Sequence, residues 1–392
     1  MKPDPSIRPS DSLRHVRYEI RGRLARRAHE LERQGYEIVS LNIGNPKAFG
    51  FRTPETMRLA MIENLAEAEG YCHQKGIFPA REAVVMQQQA RGVTGVTAEE
   101  VFIGNGVSEL IDLVLRALLN SGDEVLVPSP DYPLWTAAVT LNGGRPVHYP
   151  CRPENGFVPD PEELARLVTP RTRAIVIINP NNPTGAVYPP DTIEAFARLC
   201  RERGLFLILD ETYRDFIAGR PHGLIASGDY ANTLIYLYSF PKSYCIPGHR
   251  LGALVASPSL QQQVGKILDT LQICAPRTAQ DPVAWAIDGL ADWREANRLE
   301  IARRGDAFRA AFQGLNGWKV DSMGAYFAFL RHPFPGRPAA VVVKELVEKA
   351  GVLCLPGPYF GPGQEGHMRV AFANAGVEQL RALRERFSQF PG

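Results

Sequence analysis

The strongest constraint on this chain is a set of short, largely apolar runs at residues 124–128, 145–149, 174–178, 205–209, 234–238 and 251–257. None of them alternates apolar with polar positions. Each therefore reads as a strand covered on both faces rather than one side of a half-exposed sheet. Helical patterns fill several intervals, at 107–119, 161–168 and 190–204. Strands separated by helices predict an α/β domain, with a mainly parallel sheet packed between helical layers. After about residue 286 the texture changes. A long polar helix over 292–313 leads to AYFAFL, a helix over 339–349, VLCLP, MRVAF and a last helix. That predicts a smaller α+β domain formed by both chain ends. The expected division is 1–48 for the N-terminal arm and part of the small domain, 49–286 for the large domain and 287–392 for the rest of the small one.

Composition narrows the function classes. A chain of 392 residues can bury a large core, and a formal net charge of +2 argues against a general polyanion binder. No apolar stretch approaches the ~18 residues of a membrane span, and no signal-type segment follows Met1. The six cysteines are scattered singly, without CxxC pairs. The expectation is a cytoplasmic chain with reduced thiols and no metal site. Residues 8–33 are rich in arginine, but Asp11, Glu19, Glu30 and Glu32 interrupt the run, unlike a mitochondrial transit peptide. From about Gly22 the pattern predicts an exposed amphipathic helix with Leu24, Ala28 and Leu31 on one face.

In open parallel sheets chemistry sits beyond the carboxyl ends of the strands. Four motifs fall at that edge. IGNGVSEL (103–110) is a glycine-rich turn opening a helix, either a plain cap or a phosphate site made by backbone N–H groups and the helix dipole. It is not a dinucleotide fingerprint, because Glu109 stands where the third glycine belongs, and a nicotinamide dehydrogenase fails on that point. NPNNPTG (179–185) is either a turn or a set of amide donors for a ligand. Asp210 ends the run LFLIL, where burial demands a partner, an arginine or a ligand. YSFPKSYCIPGHRLG (238–252) holds a lone lysine, Lys242, beyond an apolar strand, with Arg250 eight residues on.

Together with Gly44 in NIGNP, Tyr71, PDYPLW and MRVAFAN, these motifs make the chain resemble the fold-type I, pyridoxal phosphate-dependent aminotransferases of the aspartate aminotransferase superfamily, over nearly its whole length. YEIRG, LNIGNPKAFGF and GNGVSELI make the first half similar to bacterial glutamate–pyruvate (alanine) aminotransferases; the part after Asp210 is less so. The resemblance implies a seven-stranded, mainly parallel sheet and pyridoxal 5'-phosphate as cofactor.

Residue by residue, it implies that Lys242 forms a Schiff base with the cofactor and that Arg250 clamps its phosphate, helped by Ser239, Ser108 and the Val107 backbone N–H. Asp210 would keep the pyridine nitrogen protonated, Tyr213 and Asn182 would bond the ring oxygen, and Tyr132 would stack on the ring. Arg369 and Gly44 would receive the substrate α-carboxylate. Tyr71 would reach the phosphate of a second subunit in a homodimer. Tyr18 and Arg21 would lie at the site mouth, where Arg21 would meet a second carboxylate. The implied reaction is ping-pong transamination between an L-amino acid and a 2-oxo acid, alanine or glutamate with pyruvate or 2-oxoglutarate. The alternatives are an apolar or aromatic donor, or a C–S lyase of the same fold. Two departures stand out, Pro241 before the lysine and His249 before the arginine.

Overall fold

The computed structural model of the chain describes residues 8–16, 20, 22–45, 50–93, 95–219, 223–224 and 233–390. The N-terminal side contributes α1 (Arg23–Arg33), β1 (Val39–Ser40), α2 (Glu55–Glu63) and α3 (Phe78–Ala90). Alternation then runs through β2 (Val101–Gly104), α4 (Val107–Leu118), β3 (Glu124–Ser129), α5 (Pro133–Leu141), β4 (Arg145–Pro150), α6 (Pro161–Leu167) and β5 (Thr172–Ile178). It continues with α7 (Pro190–Arg203), β6 (Phe206–Asp210), β7 (Leu234–Ser239), α8 (Phe240–Ser243) and β8 (Gly252–Val255). Helices α9 (Pro258–Leu271), α10 (Gln280–Gly289) and α11 (Ala291–Phe312) follow. The chain closes with β9 (Lys319–Gly324), β10 (Phe327–Arg331), α12 (Ala339–Glu345), β11 (Val352–Leu353), β12 (Leu355–Pro356), β13 (His367–Val370) and α13 (Val377–Ser388).

Seven strands form one sheet in the order β2-β8-β7-β6-β5-β3-β4, parallel except for β8. The apolarity of the central runs has a direct cause, whereas β4, expected to be covered on both faces, lies at the sheet edge and is only partly buried. Along β5, Ile175 and Ile177 enter a core with Val84, Phe196 and Val283, from α3, α7 and α10. Ala174, Val176 and Ile178 enter the opposite core with Leu110, Trp135 and Val264, from α4, α5 and α9. Both faces are dry, so neither set of alternate side chains can be polar. The run at 251–257 forms a shorter strand than expected and points the other way, and β2, not expected from the sequence, ends in the first two residues of the glycine-rich motif.

A second core surrounds the antiparallel sheet β12-β13-β10-β9. Leu24, Ala28 and Leu31, the predicted apolar face of α1, are buried in it beside Phe308, Val342 and Leu383. Strand β1 pairs in parallel with β11, tying the N-terminal segment to the C-terminal one. The helix expected over 339–349 is α12 followed by a π-type turn, Leu346–Ala350, and Gly351 ends it with φ 62°. No helix among the described residues is long and apolar enough to cross a membrane.

Candidate active site

Strand register brings the four edge motifs together. Gly104 pairs with Gly252, Gly252 with Ser239, and Asp210 with both Ile178 and Leu237. Because β8 runs antiparallel, its start, just after Arg250, lies at the carboxyl ends of β2 and β7. A cavity of roughly 950 Å³ opens there, lined by Gly44, Val107, Ser108, Tyr132, Asn182, Asp210, Tyr213, Ser239, Lys242, Arg250 and Arg369. Those are all the predicted site residues except three. Tyr71 lies away from the cavity, 79% exposed on the surface of this chain. Tyr18 and Arg21 lie outside the described residues.

The Val107 end of α4 faces the cavity with Ser108 exposed to it. Its cap, Gly106, has φ 79°, and a Cβ there would sit 2.4 Å from the Arg250 guanidinium. Only glycine allows both the backbone angle and the arginine. Among the described residues Arg250 enters no ion pair; its Nη1 donates to the Pro247 carbonyl at 3.2 Å. Helix N-terminus, hydroxyls and an available guanidinium form a ready anion site. Glu109 does not spoil it, because its Oε2 turns back to accept from the Asn105 N–H at 2.7 Å.

Asp210 is buried without a cation partner among the described residues. Its Oδ2 accepts from Trp135 Nε1 at 3.1 Å, and its Oδ1 from the Thr212 N–H and hydroxyl at 3.1 and 2.7 Å. Burial raises its pKa despite these donors. Each bond to a carboxylate is worth roughly 1.5–3 kcal/mol, yet a buried anion still favours a positive partner. The arginine considered from the sequence is not there; a neutral indole and a threonine hold the group instead. Thr212 lay in plain view two residues on, the spacing of a side-chain-to-backbone turn. Nothing local announced Trp135.

Lys242 lines the same cavity, with no carboxylate paired to it among the described residues. Its Nζ donates to the Gly44 carbonyl at 2.7 Å and lies 5.9 Å from the centre of the Tyr213 ring. Burial, with the charges of Arg369 and Arg250, pushes the amine down to about 8. The backbone around Pro241 accommodates it. The proline occupies the first turn of α8, where its missing N–H would have had no partner, and Phe240 joins that turn instead of being driven into extended geometry. His249 is an exposed residue closing a short turn before Arg250.

Arg369 reaches the cavity from β13 of the second sheet. Its Nη1 donates to Asn182 Oδ1 at 2.8 Å and its Nη2 to the Asn42 carbonyl, while Phe327 and Phe360 each lie 4.6 Å from its guanidinium carbon. The cation is thus held in a fixed plane, the arrangement that suits a bidentate carboxylate. NPNNPTG carries Asn182 into contact with this second sheet. Gly185 (φ 73°) packs so closely that a Cβ would sit 2.2 Å from the Gly324 nitrogen. Ile20, Ile43 and Leu134 add an apolar wall that the sequence did not single out.

The family model for class I and II aminotransferases matches residues 36–387. Glutamate-pyruvate aminotransferase AlaA of Haemophilus influenzae is 37% identical over 374 residues, 92% of each chain. The Escherichia coli protein of that name is 42% identical over 289 residues, 72% of this chain and 71% of the relative. Among solved structures, alanine aminotransferase from Pyrococcus furiosus superposes with a TM-score of 0.91 at 30% identity, covering 98% of this chain and 99% of that one. A lysine, a buried carboxylate without a cation partner among the described residues and two guanidiniums around one cavity are thus set in a chain that matches this family almost end to end: it belongs to the class I and II aminotransferases, pyridoxal phosphate enzymes that act on amino acids and 2-oxo acids.

Proposed function

We propose that the enzyme moves amino groups between alanine or glutamate and pyruvate or 2-oxoglutarate, in two half-reactions with ping-pong kinetics. The observation that carries this reading is the convergence of Lys242, Asp210, Arg250 and Arg369 on one cavity. The substrate class comes from relatives named for glutamate–pyruvate and alanine transamination.

The residues present fit pyridoxal 5'-phosphate. The cradle at Gly106 and Arg250 suits its phosphate, and the unpaired charge of Asp210 suits a protonated ring nitrogen. When bound, the cofactor supplies an electron sink for charge developing at the substrate Cα. Arg250, Ser108, Ser239 and the Val107 N–H would hold the phosphate, and Tyr132 would cover a ring face. With Asn182 Oδ1 committed to Arg369, the amide N–H of Asn182 would join the Tyr213 hydroxyl at the ring oxygen. Arg369 would bind the substrate α-carboxylate, with Gly44 giving the backbone room. Lys242 is both attachment point and base. Its depressed pKa brings the neutral amine within reach near neutral pH, so Nζ can take the Cα proton and return it.

Incubation with L-alanine and 2-oxoglutarate should yield pyruvate and glutamate in equal amounts. A 2-oxo acid accompanied by ammonia would indicate a lyase instead, and faster turnover of apolar or aromatic donors would move the substrate class.

The proposal includes a cytoplasmic homodimer and two domains with boundaries near 48/49 and 286/287; two cores favour two bodies, while Ile287 and Leu290, at the end of α10, still pack in the large-sheet core. Leu59 and Ile62 of α2, Phe78 and Met86 of α3, and Leu65 and Tyr71 between them are all exposed, an apolar surface suited to a second copy. Tyr71 would cross to the partner's phosphate. Tyr71→Phe should therefore weaken cofactor retention, read by dialysis, while sedimentation still shows a dimer. A fully active monomer would contradict this.

Tyr18 and Arg21 flank Ile20, which lines the cavity. In the proposal Arg21 meets the second carboxylate of glutamate or 2-oxoglutarate and stays clear of alanine or pyruvate. Arg21→Ala should raise KM for 2-oxoglutarate about ten- to a hundredfold, the loss of roughly 1.5–3 kcal/mol from a charge-assisted bond. KM for pyruvate should hardly move. Equal effects on both acceptors would remove Arg21 from the site.

A further inference from the structure

Behind the cavity wall lies a buried charge cluster that none of the roles above uses. Asp215, in the short turn Arg214–Phe216 just after Tyr213, has a side chain only 12% exposed. Its Oδ1 lies 3.5 Å from Arg91 Nη2, at the end of α3, and its Oδ2 lies 3.7 Å from Arg294 Nη1, near the start of α11. The Tyr238 hydroxyl, from β7, donates to Oδ2, and the Ser243 hydroxyl lies 3.2 Å from that phenol oxygen. Arg91 also donates to the Tyr236 hydroxyl at 2.8 Å. Burial by itself would raise the Asp215 pKa, but the two arginines and the hydroxyls overcome it and keep the carboxyl below its ordinary value.

Fold stability alone is a poor reason for such a cluster, since packed apolar side chains commonly serve as well. Its two ends are more telling. Asp215 is two residues from Tyr213, and Ser243 adjoins Lys242. We propose that Asp215 is a positioning residue of the reaction, whose carboxylate, through Tyr238 and Ser243, clamps the turn carrying Tyr213 to the turn carrying Lys242. The 5.9 Å between Lys242 Nζ and the Tyr213 ring centre is the geometry it maintains. This rests on reading Lys242 as the attachment residue, so the test observes Lys242 directly as well as turnover.

In the holoenzyme, Asp215→Asn should lower kcat by up to about a hundredfold, the cost of a misplacement near 1 Å, with KM for the amino donor little changed. The second readout is competitive acylation of Lys242 in the cofactor-free full chain across pH, followed by peptide mass mapping. The wild-type midpoint should lie at about 8. In Asp215→Asn it should move upward, because a loosened turn lets water reach the amine. The charges that act on Lys242 are those of Arg369 and Arg250, so the movement reports the turn rather than the lost carboxylate.

Asp321→Asn is the control. It removes another buried carboxylate, on β9, held by Lys319, by Arg331 of β10 and by His367 of β13, and should leave kcat and the midpoint in place. Should Asp215→Asn fail to fold, Tyr238→Phe breaks one link of the chain and should move both readouts less, in the same direction. Unmoved readouts in the folded variants, or an equal shift in Asp321→Asn, would overturn the clamp. A shifted midpoint with full turnover would uphold the clamp's hold on Lys242 and count against Lys242 as the attachment residue.

Discussion

Lys242→Ala should fold, still take up pyridoxal phosphate, and lose turnover by about five orders of magnitude. The geometry sets the scale. Of the cations lining the cavity, Lys242 is the one whose charge is destabilised by burial and by two neighbouring guanidiniums, so it alone reaches the neutral form near pH 8. Arg250 and Arg369 stay charged and cannot replace it as base. Folding should survive, because among the described residues the side chain's one hydrogen bond goes to the Gly44 carbonyl at the cavity edge. Borohydride treatment and peptide mapping check this: the wild type should retain cofactor on the peptide containing Lys242, and the variant should retain none. Cofactor trapped on a different lysine would end the assignment.

Asp210→Ala should bind the cofactor weakly and turn over about a thousandfold more slowly, or worse. It removes the one carboxylate among the described residues lining the cavity. It also strands the Trp135 indole N–H and two Thr212 donors, costing roughly 1–3 kcal/mol of stability for a buried group. Asp210→Asn separates the two effects. It keeps the volume and an acceptor for part of the network while deleting the charge. Both variants should be nearly inactive, and only the alanine variant should melt markedly earlier. An asparagine variant with near-normal turnover would make the carboxylate structural.

Much of the large sheet was legible because its cause is local. Runs such as AIVII must be buried on both faces, and a helix pattern between two of them leaves few topologies. The same local logic marked the lysine, because an isolated charge beyond a buried strand has little structural purpose. The direction of β8 was not legible, since an apolar run reads alike both ways. Nor was the partner of Asp210. An arginine was a fair expectation for a buried carboxylate, and the indole of Trp135 satisfied it from 75 residues away. Tyr71 carries a clear motif yet stands outside the cavity, exposed on the surface of this chain, and the sequence gives no sign of that placement.

By itself the sequence determined most strands of the large sheet and several of the helices between them, the residue types at the carboxyl edge and the family to which they belong. These depend on neighbours a few residues apart, which share one face or one turn. Tertiary structure alone decided which of those residues meet. Arg369 reaches Asn182 across 187 positions, Lys242 reaches Gly44 across 198, and Asp215 joins Arg91 to the lysine turn from behind the wall. No periodicity encodes such pairs. They follow from register, from the reversed β8 and from the packing of two cores, each the outcome of the whole chain burying its apolar surface at once.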